Sequence, residues 1–330
     1  MIEIKIDSPS DGQKAEKFVK KYLSDAPLGF IYKSFRKKDI KLNGHWIHKD
    51  AIVHAGDTLR IYVTDQQLAD FKKPREVQKK AFPYQIVYED NNVMIVNKPK
   101  GLLVYGDDKG VRATLGNAVL DYLYLKGEYD PSKAAFTPSP AHRLDRNTSG
   151  LVVYGKTDAA LKELTDLFKE RTEIEKRYLA LVVGDVDHDG EVNKPLKKFE
   201  DSGLVKVCPL AEGGKTALTR YHVLKHYGDY TLLELELVTG RTHQIRVHMA
   251  SINHPVVGDG KYGDFQDCRK VRALTGLDSQ FLHAAKLSFK APGGVLSALD
   301  GKTFEAPLPS SLEEVLKKLG NQGTIENAKE

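Results

Sequence analysis

Cysteine is nearly absent: Cys208 and Cys268 are the only two in 330 residues. Two thiols cannot build a disulfide framework, a cysteine-based zinc site or an iron–sulfur site. Long apolar runs are missing too, with nothing near the roughly 18 residues that a membrane span needs. The opening segment, Met1-Ile2-Glu3-Ile4-Lys5, lacks the apolar stretch of a secretory signal. These absences lead to the expectation of a cytoplasmic protein of a reducing compartment with no membrane association. There is no internal repeat and no low-complexity block. What is present is ordinary for a globular protein with a real core: 41% hydrophobic and 29% charged residues. The length suggests two domains.

The net charge of +5 is unevenly placed. Residues 1–80 hold 17 Lys/Arg against 11 Asp/Glu, so the remaining chain is close to neutral. That is the distribution of a polyanion-binding appendage on a neutral body, although a solvated lysine-rich face gives the same count.

Hydrophobic spacing divides the chain similarly. Lys14–Ser24 and Gly29–Lys38 read as short helices, the second with Phe30, Ile31 and Phe35 on one face and Lys33, Arg36 and Lys37 on the other. Short strands follow at Ile40–Leu42, Trp46–Ile47 and Asp57–Val63, with an Asn43-Gly44 turn between the first two. These elements predict a small α+β domain over about 1–65. Residues 66–80 are charged, contain Pro74, lack a strand pattern and read as a linker. From Ala81 the chain is mixed α and β, beginning with strands at Gln85–Val87 and Val93–Val96. It predicts a second domain over 81–325, with a polar, frayed tail from about Gly320.

Several motif matches fail on their context. Gly150-Leu-Val-Val-Tyr-Gly-Lys156-Thr157 fits the phosphate-loop pattern, but its spacer is an apolar β-branched run that prefers a strand. Gly258-Asp-Gly260-Lys-Tyr-Gly263 fits the dinucleotide fingerprint, yet no adequate strand precedes it. His243, His248 and His254, with His142 and His283 elsewhere, lack the spacing of a zinc hydrolase. Thr148-Ser149-Gly150 is not a hydrolase nucleophile elbow.

Two polar segments remain. Ala141-His142-Arg143-Leu144-Asp145-Arg146-Asn147-Thr148-Ser149-Gly150 sets one carboxylate between two guanidinium groups and leads into the strand Leu151–Tyr154. After a strand at Thr231–Val238, Gly240-Arg241-Thr242-His243-Gln244-Ile245-Arg246-Val247-His248 turns into a helix. Either could be an ordinary ion-paired turn. Two strand-adjacent turns rich in Arg and His point to a cleft for an anionic substrate.

His142-Arg143-Leu144-Asp145 with Thr148-Ser149-Gly150 resembles the catalytic loop of the RluA-type RNA pseudouridine synthases. Tyr88-Glu89-Asp90 through Asn97-Lys98-Pro99-Lys100-Gly101 resembles the first motif of that family. Lys176-Arg177-Tyr178 through Val182 resembles its Lys-x-Tyr strand. Gly240–His248 with His254-Pro255 and Gly258-Asp259 resembles its third motif. Ile31-Tyr32 through Arg36-Lys37, Leu42-Asn43 and Ala55-Gly56-Asp57 resemble a small RNA-binding module shared with a ribosomal protein. The layout is most similar to the subgroup that modifies large-subunit ribosomal RNA. One stretch, Leu103-Val104-Tyr105-Gly106-Asp107-Asp108, departs from the pattern.

The resemblance implies an α+β fold, with the small module joined to a catalytic domain built on a mixed, mainly antiparallel sheet. It implies isomerisation of uridine in RNA with Asp145 as the essential carboxylate, Arg241 as its ion-pair partner and Tyr178 stacked on the base. His142, Arg143, Lys98 and Lys176 would meet substrate, and Lys33, Arg36, Lys37, Lys38 and Lys41 would hold RNA phosphates. No metal or organic cofactor is expected, because the base is never released to solvent. The partner is RNA and the protein a monomer. A uridine methyltransferase would need a methyl-donor site and usually a nucleophilic cysteine, which neither polar segment contains. A non-catalytic RNA binder would tolerate loss of Asp145.

Overall fold

The computed structural model describes residues 1–23, 26–71, 82–106, 113–131, 134, 136–199 and 201–326. Alternation of apolar and polar residues builds an N-terminal four-stranded antiparallel sheet. Its strands are β1 (Ile2–Lys5), β2 (Ile40–Leu42), β3 (His45–Trp46) and β4 (Thr58–Ile61), in the order β1-β4-β2-β3. Ile2, Ile4, Ile40, Leu42, Leu59 and Ile61 share the inner face. They pack against Phe18 and Val19 of α1 (Ala15–Tyr22) and Ile31 and Phe35 of α2 (Leu28–Arg36). Asn43 and Gly44, both at positive φ, make the tight β2–β3 turn.

The segment read as a linker is partly structured. Asp65–Phe71 forms α3, and Leu68 and Phe71 pack on the N-terminal core, the Phe71 ring 4.8 Å from that of Phe30. Thr64 caps this helix reciprocally. Its hydroxyl accepts from Gln67 N–H (3.1 Å), and the Gln67 side chain accepts from Thr64 N–H (3.0 Å). The rest of the expected linker, 72–80, lies outside the described residues.

A ten-stranded sheet carries the remainder. In chain order its main strands are β5 (Gln85–Glu89), β6 (Val93–Lys98), β7 (Ser149–Gly155), β8 (Ile174–Val183) and β9 (Gly190–Asn193). A side hairpin, β10 (Leu196–Phe199) and β11 (Leu204–Val207), precedes β12 (Leu218–Tyr227), β13 (Tyr230–Leu237) and β14 (Leu282–Phe289). The spatial order is β9-β12-β13-β8-β14-β7-β6-β5, and Ser139–Pro140 and Thr303–Glu305 add short strands to β7 and β14. Among the described residues every strand pairing in this sheet is antiparallel except β7 with β14, so the sheet is mixed and mainly antiparallel, as expected.

Helices cover the faces. α4 (Leu115–Leu125) is capped by Thr114, and α5 (Asp158–Glu170) by Thr157, whose hydroxyl accepts from Ala160 N–H. Ala160, Leu164 and Leu167 present the buried stripe of α5. α6 (Gln244–Ala250) and α7 (Phe265–Thr275) follow. The tail expected to fray continues as α8 (Ser310–Glu326), because Leu312, Val315 and Leu319 bury a helical stripe beside Phe281. Lys17 and Lys21 of α1 both reach the buried Asp158 at the start of α5 (2.7 and 2.6 Å), tying the N-terminal unit to the large sheet.

β7 is buried along its whole length, and Gly150 near its start sits at φ +112° opposite Ala284. A Cβ there would lie 2.2 Å from the Ala284 carbonyl oxygen. Gly150→Ala should therefore cost at least about 2 kcal/mol of unfolding free energy through backbone overlap and strain. Gly228→Ala, at positive φ but with open space around it, should cost only about 1 kcal/mol. Urea denaturation of the two variants checks the difference.

Candidate active site

The Asp145 loop runs from the short strand Ser139–Pro140 into β7 and is pinned from several sides. Thr148 N–H donates to the Asp145 carbonyl (3.1 Å), and Gly101 N–H donates to that of Arg146 (2.9 Å). The Arg146 guanidinium donates back to the Gly101 carbonyl (3.0 Å). Lys98, at the end of β6, is fully buried, and its ammonium donates to the carbonyls of Pro99, Leu102 and Arg146 (2.9, 2.9 and 3.1 Å). Its three N–H bonds are all used. The expectation that Lys98 meets substrate is therefore corrected: it clamps the loop that carries Asp145. Burial pushes its pKa down to about 7, against the pull of Asp145.

Asp145 looks into a cleft of 330 Å³ between this loop, β8 and the turn before α6. Lys176 and Tyr178 stand two apart on β8 and so point into it together. At Tyr178 the pairing with β14 slips by one residue, leaving Ala285 out of the ladder. Such irregularities re-aim side chains beside functional sites. Burial, reinforced by the Asp145 charge, raises the Tyr178 hydroxyl above the usual tyrosine range, so the ring is neutral.

The guanidinium beside Asp145 belongs to Arg246, not to Arg241. Arg246 Nη1 donates to Asp145 Oδ2 at 2.9 Å. Arg241 instead donates through Nε to the Thr216 carbonyl (3.0 Å) while lining the same cleft. The helix explains the exchange. Gln244–Ala250 is buried almost throughout, which turns Arg246 inward, whereas Arg241 stays on the preceding turn. That turn is clamped by Gln244, whose side-chain oxygen accepts from Thr239 Oγ1 and Arg241 N–H and whose amide donates to the Leu218 carbonyl.

Arg246 is fixed from behind by the fully buried Asp259, with Nε to Oδ2 at 2.6 Å and Nη2 to Oδ1 at 2.7 Å. Asp259 Oδ1 also accepts from Lys261 and Tyr262 N–H. Burial disfavours the Arg246 charge, but the hydrogen bonds and charge of Asp259, with Asp145 added, outweigh it and raise its pKa. His243 Nε2 lies 3.7 Å from Asp145, and its Nδ1 meets the Tyr262 hydroxyl at 2.7 Å. Burial lowers the His243 pKa despite Asp145. Sequence reasoning assigned no role to His243, Arg246, Asp259 or Tyr262. The available signal was an arginine inside the apolar run Ile245–Met249, since a buried guanidinium needs a buried acid.

The remaining expected residues take varied positions. His142 stacks on Phe168 (4.4 Å between ring centroids), and its Nε2 accepts from Val153 N–H. Burial and the Lys176 charge push its pKa down to about 3, so at neutral pH it offers the cleft an uncharged ring. Arg143 is exposed at the cleft wall. Lys176 is brought down to about 8 by burial and the nearby Arg171 charge. Lys33, Arg36, Lys37 and Lys38 are exposed on and just after α2, away from the cleft, and Lys41 stands on β2. Neither Cys208 nor Cys268 lines the cleft. The phosphate-loop match lies on β7, with Lys156 committed to the Glu89 carboxylate (2.8 Å) and the Asp90 carbonyl (2.7 Å). Tyr105, in the stretch that departs from the family pattern, donates to the Pro140 carbonyl. Asp107 and Asp108 lie outside the described residues.

Residues 92–251 match the family model described as RNA pseudouridylate synthase. The chain is 35% identical to "Ribosomal large subunit pseudouridine synthase C" of Vibrio parahaemolyticus, over 95% of each chain. It is 32% identical to the protein of that name in Escherichia coli, over 96% of each. It is 29% identical to "Uncharacterized RNA pseudouridine synthase YlyB" of Bacillus subtilis, over 98% and 99%. Among solved structures, human RNA Pseudouridylate Synthase Domain Containing 1 superposes with a TM-score of 0.51 at 25% identity, covering 74% of this chain and 97% of that one. The human domain-containing-4 protein, at 24% identity, shares the fold with a TM-score of 0.57 over 71% and 92%.

The two arginines should differ sharply in their effect on stability. Asp259→Ala strands the buried Arg246 charge and should cost about 3–5 kcal/mol. Arg241→Gln removes one hydrogen bond at a partly exposed position and should cost less than about 1 kcal/mol. Equal losses in urea denaturation would contradict the pairing described here.

Proposed function

Because this chain belongs to the RNA pseudouridylate synthase family, we propose that it converts uridines of large-subunit ribosomal RNA to pseudouridine, with Asp145 as the reacting carboxylate. The substrate assignment rests on the names of relatives that align over nearly the whole chain. The single observation that carries the residue assignment is the Asp145–Arg246 pair facing an open cleft beside Tyr178.

A base inside an RNA helix cannot reach this cleft, so the target uridine leaves its stack and enters it. Arg143, Lys176 and Arg241 supply positive charge along the walls for the phosphates that follow. The neutral Tyr178 ring is the apolar surface against which the base lies. Asp145 starts cleavage of the bond from N1 to the ribose, either by attacking the sugar or by taking a sugar proton. The base then turns, C5 bonds to the ribose carbon, the C5 proton departs and N1 gains one, so the composition is unchanged. Arg246 holds the carboxylate in its direction of attack, and no step calls on a metal or cofactor.

In this reading residues 1–65 are an RNA-binding module and 81–325 a catalytic domain, working as a monomer in the cytoplasm. The helix α3 extends the module's packing to Phe71.

Asp145→Asn is nearly isosteric but can act neither as nucleophile nor as base, so release of tritium from uridine labelled at C5 should fall by at least about 10⁴-fold with RNA affinity retained. Undiminished release from the variant would remove Asp145 as the reacting carboxylate, and no release from the wild-type chain would leave an RNA binder as the better account. Neutralising Lys33, Arg36 and Lys37 together should weaken RNA binding and flatten its logarithmic salt dependence by up to about three units. The rate at saturating RNA should hardly change. Parallel salt plots for variant and wild type would remove α2 from the RNA path.

A further inference from the structure

The N-terminal sheet has a second face, opposite its core. The strand register sets Glu3, Arg60, Lys41 and Trp46 in one transverse row across all four strands. Side chains paired in this way share a face, here the outer one. Tyr62 follows β4 on the same side, and its ring lies 5.5 Å from the Lys41 ammonium. Trp46 is 40% exposed and Tyr62 44%, large areas for aromatic residues. Lys38 holds its ammonium 5.0 Å over the indole, and the His48 ring meets the indole edge-on at 4.4 Å. The one acid in the row, Glu3, is bonded to Arg60.

We propose that this outer sheet face, built by Trp46, Tyr62, Lys41, Lys38 and Arg60, binds a single-stranded segment of RNA by stacking its bases on the two rings. The partner's chemistry follows from the surface. Aromatic rings with cations between them match a strand that carries a flat apolar face and a phosphate on every residue. A duplex hides its base faces and could not use the rings. Trp46 and Tyr62 flank β2 two strands apart, about 10 Å by ordinary strand spacing. Lys41, between them, stands where the intervening phosphates would pass. Stacking of a base outweighs a cation–π contact at an exposed site. An arriving base thus displaces Lys38 from the indole, and the freed ammonium meets a phosphate. This face lies on the other side of the core from Lys33, Arg36 and Lys37 on α2, so the two surfaces are separate contacts.

The inference rests on RNA being the substrate, and Trp46 provides a test independent of catalysis because it is the only tryptophan. A short unstructured RNA oligonucleotide titrated into the full chain should quench the tryptophan emission by at least about half, and an RNA duplex of equal length should not. Trp46→Leu combined with Tyr62→Leu should weaken single-strand binding by about tenfold or more, while Trp46→Phe retains it. Tritium release at saturating substrate should be unchanged in all variants. Binding by mobility shift without a change in emission would overturn the proposal, as would wild-type affinity in the double variant or failure of the oligonucleotide to bind. Tritium release from ribosomal RNA by the wild-type chain separates these outcomes from failure of the underlying reading: release with no oligonucleotide effect removes only the platform.

Discussion

Arg246 carries its charge into a buried helix and meets two carboxylates there. Asp259, fully enclosed, takes two N–H groups in a bidentate pair, and the remaining arm reaches Asp145 at the edge of the cleft. A lone guanidinium at this depth would cost several kcal/mol of lost hydration. Asp259 offsets that cost and fixes the plane of the fork, so the free arm has one direction in which to point. Of the two carboxylates only Asp145 lines the cleft, and it does so against a cation that cannot turn away. His243 and Tyr262 close the remaining side, joined to each other and to Val205 of the side hairpin.

The large sheet exists at this point to hold two segments to that arginine. Gly150 lets β7 lie directly on Ala284, and Ala284 pairs with Tyr178 on its other side, so one row of strand pairings places the end of the Asp145 loop beside the Tyr178 ring. Lys98 ties the same loop, through the Arg146 carbonyl, to the segment after β6, whose Pro99 and Leu102 carbonyls it also binds. The loop is consequently positioned by hydrogen bonds to rigid strands rather than by its own conformation, which is what a reacting carboxylate requires.

Much of this was legible in sequence. The Asn43-Gly44 turn and the Asp145 loop feeding an apolar strand stand where local pattern put them, because turn chemistry and alternation are local properties, and the Lys176–Val182 strand stands where the family resemblance put it. The partner of Asp145 was not legible. Arg241 and Arg246 differ by five positions, and the choice between them depends on the turn that Gln244 clamps and on Asp259, reached only through tertiary packing. Lys98 misled for a related reason: a motif lysine suggests an anion contact, whereas burial leaves it only carbonyls to bind. Asp65–Phe71 was missed although Thr64 and Gln67 spell a capping box, since the surrounding charge masked a short apolar pair, Leu68 and Phe71.

If Arg246 aims Asp145, its two-carboxylate bridge should be felt in the chemistry and not in RNA binding. Arg246→Lys keeps one charge but cannot span both acids. The direct measurement is the single-turnover rate of tritium release at saturating RNA, with RNA affinity determined in parallel. The account predicts a fall of about 10²-fold or more in rate with affinity within about twofold of wild type. A rate equal to wild type in the folded variant would contradict it.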